Sequence, residues 1–227
     1  MSIFFRKQPK TQGTTSAFYD EYKEIRDAAW RVLAENGIKE LPVDLTHICE
    51  AEGIDVFSYA QAEVLITSLH IHKQCKPGGC LVLIPDGRRI ILYDDSVPVE
   101  MRRFLIASGM GYFALGIAKQ EKRAENTVVQ ITAEDELQAG IFAGRLLAPL
   151  SVLWAMGVQS AEEIRRVCLV PKQTAEKRFA RMCEMDQRNL ERGTKSGVGT
   201  MFLSGYERCA FRHFSNFAET YRQKVKK

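Results

Sequence analysis

No run of apolar residues approaches the roughly 18 needed to cross a bilayer, so no membrane-spanning helix is expected. The opening stretch, Met1-Ser2-Ile3-Phe4-Phe5-Arg6-Lys7-Gln8-Pro9-Lys10, lacks a long apolar core and does not read as a secretory signal. Cysteines are few and scattered: Cys49, Cys75, Cys80, Cys168, Cys183 and Cys209 have no disulfide-framework spacing. They are expected as reduced thiols of a cytoplasmic protein, each acting as a small buried hydrophobe. Charge of one sign is scarce too. Lys plus Arg total 32 against 28 Asp plus Glu, and the net +4 is too mild to argue for nucleic acid by itself. There is no internal repeat and no low-complexity tract, which excludes a repeat array.

What remains is ordinary globular composition, 45% hydrophobic and 26% charged. A chain of 227 residues is one sizeable domain or two small ones and can bury a core without metal or disulfide. Residues 1–16 read as a flexible polar arm and 17–190 as the main domain. Residues 191–227 read as a loop and an aromatic, basic helix packing on that domain.

Apolar positions at helical spacing predict a helix from Phe18 to Glu35, stopped by Asn36-Gly37. A shorter helix follows over Asp44–Glu52. Alternation predicts strands at Ile54–Tyr59, Val64–Leu69, Leu81–Ile84 and Arg89–Tyr93, the last two joined by a hairpin at Pro85-Asp86-Gly87-Arg88. Pro98 opens a helix to about Leu115 that is apolar nearly all round and therefore central. Thr132-Ala133-Glu134-Asp135 and Ser160-Ala161-Glu162-Glu163 have capping-box spacing. They open helices to about Leu147 and Arg166, and another helix runs from Lys172 to about Arg188. Gly193–Gly199 reads as a loop and Tyr206–Lys224 as a final helix with aromatics on one side. The fold class is α+β, with a small, partly antiparallel sheet.

Certain fragments, in order, resemble a known family. They are Leu41-Pro42-Val43, Gly53-Ile54-Asp55-Val56, Ile90-Ile91-Leu92-Tyr93, Arg103-Phe104-Leu105-Ile106-Ala107, and Ala139-Gly140-Ile141-Phe142-Ala143 with Leu146-Leu147-Ala148-Pro149. The family is ImmA/IrrE, zincin-like metallopeptidase domains of bacteria and their mobile elements, and the likeness spans roughly Tyr19–Arg181. There Arg-Phe-x-x-Ala leads into H-E-L-G-H, and the later stretch is usually E-A-x-x-F-A-x-x-L-L-M-P. Two His at i and i+4 share a helix face and hold one zinc, the adjacent Glu serves as base, and a Glu from the next helix is the third ligand. Carried onto this chain, Ser108 stands at the first His, Gly109 at the base, Tyr112 at the second His and Gln138 at the ligand Glu.

All four positions have thus lost their chemistry. Serine, tyrosine and glutamine are neutral and poor zinc donors, and glycine cannot move a proton. The resemblance implies the zincin-like fold, no catalytic residue, no cofactor, and a pseudoenzyme in stress-response or mobile-element gene regulation. It also implies a helix-turn-helix repressor or another regulatory protein as partner. Neutral Ser108, Tyr112 and Gln138 are expected to hydrogen-bond one another or to surround a water, since a retained carboxylate would be buried unpaired.

Other readings compete. In one, an active zinc endopeptidase uses non-standard ligands and cleaves a repressor. His70, His72, Cys75 and Cys80 form a second His/Cys group, with both His on one strand face. Ser160–Met182 has a helix-turn-helix outline, with Lys172, Gln173, Lys177, Arg178 and Arg181 facing nucleic acid. Ser108 lacks the G-x-S-x-G elbow of a serine nucleophile. His47 with Cys49, and Cys209 with His213, read as packing residues.

Overall fold

The computed structural model describes residues 15–118, 128–191 and 205–225. The polar arm up to residue 14 and the Gly193–Gly199 loop lie outside the described residues, as does Phe202, an aromatic just ahead of the final predicted helix. Helix α1 (Thr15–Glu35) buries Ile25, Ala29, Trp30, Val32 and Leu33 along one stripe. It ends as expected at Asn36-Gly37, where Gly37 takes φ 60°. Helix α2 (Leu45–Ala51) is capped by Asp44, whose Oδ1 accepts the His47 N–H at 3.0 Å.

Three strands follow: β1 (Ile54–Ser58), β2 (Cys80–Leu83) and β3 (Arg89–Tyr93). Their order is β1-β3-β2, with β1 parallel and β2 antiparallel to the central β3. The predicted hairpin turn is a short 3-10 segment over Pro85–Gly87, with Asp86 and Gly87 at positive φ. On β3, Ile91 faces the main core while Ile90 and Leu92 face a second cluster with Ile66, Ile71 and Leu83. This is the period-two alternation of a sheet buried on both faces.

The predicted strand at Val64–Leu69 is instead helix α3 (Glu63–Ser68). Ile66 is buried while Val64 is 84% exposed, so the run has one wetted side and gains little as a core strand. The helix is set up just upstream. Ser58 N–H donates to Gln61 Oε1 at 2.9 Å and Gln61 N–H donates to Ser58 Oγ at 3.1 Å, a reciprocal Ser-x-x-Gln capping pair.

Helix α4 (Val99–Ala114) is central, and Ala107–Tyr112 are all buried. It packs chiefly on α5 (Ala133–Leu147), which opens with a complete capping box between Thr132 and Asp135. Helix α6 (Leu150–Met156) was not anticipated. It is buried on nearly every side, so its sequence carries no amphipathic period to read. Together α5 and α6 form an apolar stretch, Ala133–Met156, long enough by composition to cross a membrane. It is broken at Pro149, and 78% of its most apolar window is buried in the core.

Helices α7 (Ala161–Cys168) and α8 (Lys172–Glu191) form an adjoining pair. The single helix expected at the end is two, α9 (Gly205–His213) and α10 (Ser215–Val225), divided at Phe214. Helix α9 lies on α1 and α10 on α6. Phe214 is fully buried, and Phe211, Phe217 and Tyr221 are partly buried against the main core. The aromatic stripe is therefore a packing face, with Tyr206 its exposed exception.

Candidate functional site

The four positions singled out by the resemblance lie at or beside the α4–α5 crossing. On α4, Gly109 faces β3 and Gly111 faces α5. A Cβ added at Gly109 would sit 2.8 Å from Ile91 Cγ2 and 2.9 Å from its Cδ1. One added at Gly111 would sit 3.0 Å from the Phe142 ring and 3.2 Å from Ala139 Cα. Two glycines thus let α4 be squeezed between the sheet and α5. Any side chain at 109 would therefore have to push the Ile91 side chain aside.

Ser108 is 7% exposed, and its hydroxyl donates to the Phe104 carbonyl at 2.9 Å, one turn back on its own helix. Its one donated hydrogen bond thus goes to its own helix and not to Tyr112 or Gln138, as a buried helical serine commonly satisfies its donor locally. Tyr112 is 5% exposed. Burial, then the nearby Cys80, Glu136 and Asp135, hold its phenol far above the ordinary tyrosine value, so it stays neutral. Burial and Glu136 push the Cys80 thiol up to about 12. Asp135 is committed to its cap, accepting from Thr132 N–H at 3.0 Å and Thr132 Oγ1 at 2.8 Å. Gln138 is half-buried on α5, next to the Ala139 that touches Gly111. These groups do not suit zinc: the hydroxyls at 108 and 112 and the amide at 138 are neutral, weak donors, and a side chain at 109 would have to displace Ile91.

Some of the fragments carrying the resemblance meet in space. Arg103 Nη2 donates to the Val43 carbonyl at 2.7 Å, tying α4 to the Leu41-Pro42-Val43 segment. Ile54-Asp55-Val56 pairs in parallel with Arg89-Ile90-Ile91.

The second His/Cys group is differently arranged than its spacing suggested. His70 and His72 lie in a turn after α3, not on a strand, and His70 has φ 55°. His70 Nδ1 lies 3.2 Å from the Ser68 carbonyl and His72 Nε2 3.3 Å from Thr67 Oγ1, so both rings serve the end of α3. Cys75 and Cys80 instead flank the Tyr59 phenol, whose pKa burial and these thiols raise. Among the described residues no three His, Cys, Asp or Glu side chains are grouped to hold a metal. His47 caps the end of α1, its Nε2 3.1 Å from the Asn36 carbonyl. Buried cysteines were expected throughout, yet Cys183 and Cys209 are exposed, as they fall on the polar sides of α8 and α9. His213 is exposed as well.

Helices α7 and α8 do have the helix-turn-helix outline, with Leu169 in the left-handed conformation at the turn. The basic row is divided, however. Arg178 turns inward and donates from Nε to the Ala148 carbonyl at 2.8 Å. Burial and the neighbouring Arg145 lower its pKa to about 9. Lys172 pairs with Glu176 at 3.8 Å and Arg181 with Glu184 at 2.8 Å, while Gln173 and Lys177 are exposed. Arg178 thus faces the core, because the carbonyl at the end of α5 needs a donor.

Sequence reasoning did not reach Cys80 and Glu136 as neighbours of Tyr112, nor a cleft where Arg31 and Arg89 meet. No protein-family model matches the chain, and no curated protein matches it.

Proposed function

We propose that this chain is a zincin-like protein whose metal seat has been replaced by packed neutral side chains. More particularly, we read it as a catalytically silent protein of the ImmA/IrrE type, acting as a regulatory or interaction module. The observation that carries this reading is the contact at Gly109, where the Ile91 side chain lies against the position that the Cβ of a general base would take. Two others support it. Ser108 and Tyr112, at i and i+4, are buried and uncharged. The fragments Leu41-Pro42-Val43 and Arg103-Phe104, distant in sequence, are hydrogen-bonded to one another. The resemblance names a helix-turn-helix repressor as the kind of partner such a module would engage. Nucleic-acid binding through α8 is the weaker reading, since Arg178 faces the core and Lys172 and Arg181 face carboxylates.

Metal content of the purified full-length protein is the first test, and less than stoichiometric zinc is expected. The second is a triple variant, Ser108→His, Tyr112→His and Gln138→Glu, with Gly109 kept because a side chain there would press on Ile91. The folded variant should take up zinc by metal analysis and cobalt spectroscopy, without peptidase activity. Stoichiometric zinc in the unaltered protein at this crossing, or a folded triple variant that ignores zinc, overturns the reading.

A further inference from the structure

On the β1 side of α4 a cleft of about 180 Å³ opens between α1, α2, the sheet and the end of α4. Arg31, Arg89 and Glu52 line it, together with Val32, Ile54, Met110 and Phe113. Both arginines are anchored. Arg31 Nη2 donates to the Ala114 carbonyl at 3.1 Å, and Arg89 Nη2 donates to the Glu52 carbonyl while its guanidinium lies over the Phe113 ring at 5.9 Å. These carbonyls close α4 and α2, so one N–H of each arginine caps a helix end and the fork is held in place. Among the described residues neither guanidinium forms an ion pair. The Glu52 carboxylate instead accepts from Asn36 Nδ2, at 3.2 Å on Oε1.

The charge balance of this cleft selects its ligand. Two guanidinium groups face roughly half a negative charge at each of two helix ends, plus the full charge of Glu52. The sum is near zero, but the signs are separated and no short ion pair cancels them. A simple anion would meet the guanidiniums and also Glu52, and a simple cation would meet the reverse. A ligand carrying both charges over an apolar body satisfies every part. At about 180 Å³ the cleft is also smaller than the roughly 300–1,000 Å³ of drug-sized sites, so the ligand is small. We propose that this cleft binds a small zwitterion with an apolar side chain, the chemistry of an apolar α-amino acid. Its carboxylate would lie toward Arg31 and Arg89, its ammonium toward Glu52, and its side chain over Met110 and Phe113. The site is separate from the vestigial metal seat and does not depend on the reading of that seat.

Met110 supplies the probe. In full-length protein labelled at the methionine methyls, L-leucine should shift the Met110 resonance with a Kd of about 1 mM, as befits so few ligand atoms. That resonance is assigned with Met110→Leu. Two analogues keep the body and one charge each: 4-methylpentanoate and 3-methylbutylamine. Each should bind at least about tenfold more weakly than leucine. Glu52→Gln keeps an acceptor for Asn36 and should leave the protein folded with an unchanged Tm, yet weaken leucine at least about threefold and tighten 4-methylpentanoate. The proposal is overturned if leucine leaves Met110 unmoved. It is equally overturned if either analogue matches leucine, or if a folded Glu52→Gln protein binds leucine as before.

Discussion

Gly109 shows how one missing atom can decide a site. Alanine normally improves a helix interior by about 1 kcal/mol over glycine. Here the added methyl would press on the Ile91 side chain at 2.8 Å, and the overpacking should outweigh that gain. Gly109→Ala is expected to lose about 1–3 kcal/mol in denaturant unfolding, with part of the loss recovered in Gly109→Ala/Ile91→Val. Equal stability of Gly109→Ala and the unaltered protein would mean that α4 does not lie this close to β3. Asp94 offers a second single-residue test. It accepts from Gly78 N–H at 2.7 Å and Ser96 N–H at 2.8 Å, and these donors hold its carboxyl below the ordinary value. The unfolded chain therefore takes up the proton first as pH falls. The stabilisation is complete above about pH 4 and drains away as pH drops through the lower folded value. Asp94→Asn should lower Tm near neutral pH and flatten the acid limb of Tm against pH, which thermal melts between roughly pH 2 and 7 would record.

Helices and turns separate what local chemistry writes from what packing imposes. Thr132 and Asp135 satisfy each other's backbone, and this box starts the helix that carries Gln138. Thr132→Ala should cost about 1 kcal/mol by denaturant unfolding. A loss below a few tenths would mean that α5 is held by its contacts with α4 alone. The same signals made α1, α2, α5, α7 and the Pro85–Gly87 turn readable from the sequence, because caps and turns act over three or four residues. Two helices escaped, as did the break that divides the C-terminal segment into α9 and α10. In α3 the apolar run Val64-Leu65-Ile66 looked like a strand, and the nearby Ser58–Gln61 pair, itself a legible capping signal, went unread. In α6 burial on all sides erased the period that identifies a surface helix.

Across the molecule, the last two helices close the core instead of standing off it. Tyr221 Oη donates to Glu163 Oε1 at 2.8 Å, and Arg222 Nε donates to the Ala155 carbonyl at 2.9 Å, binding α10 to α7 and α6. Phe214, at the break between α9 and α10, has no exposed surface. Phe214→Ala should cost about 3–5 kcal/mol and lower the single unfolding midpoint of the whole chain. A separate, earlier transition confined to the tail would show instead that α9 and α10 form an independent unit.

Apart from α3, α6 and the break between α9 and α10, the helices and strands, and the neutral side chains at 108, 112 and 138, could be read along the chain, because propensity, capping and residue chemistry are local properties. Three results needed the folded molecule: the wedge of Ile91 into the gap at Gly109, the inward turn of Arg178, and the meeting of Arg31, Glu52 and Arg89 in one cleft. Each joins residues from separate elements, and such approach distances follow from how helices and sheet stack, which no pattern within a single element encodes.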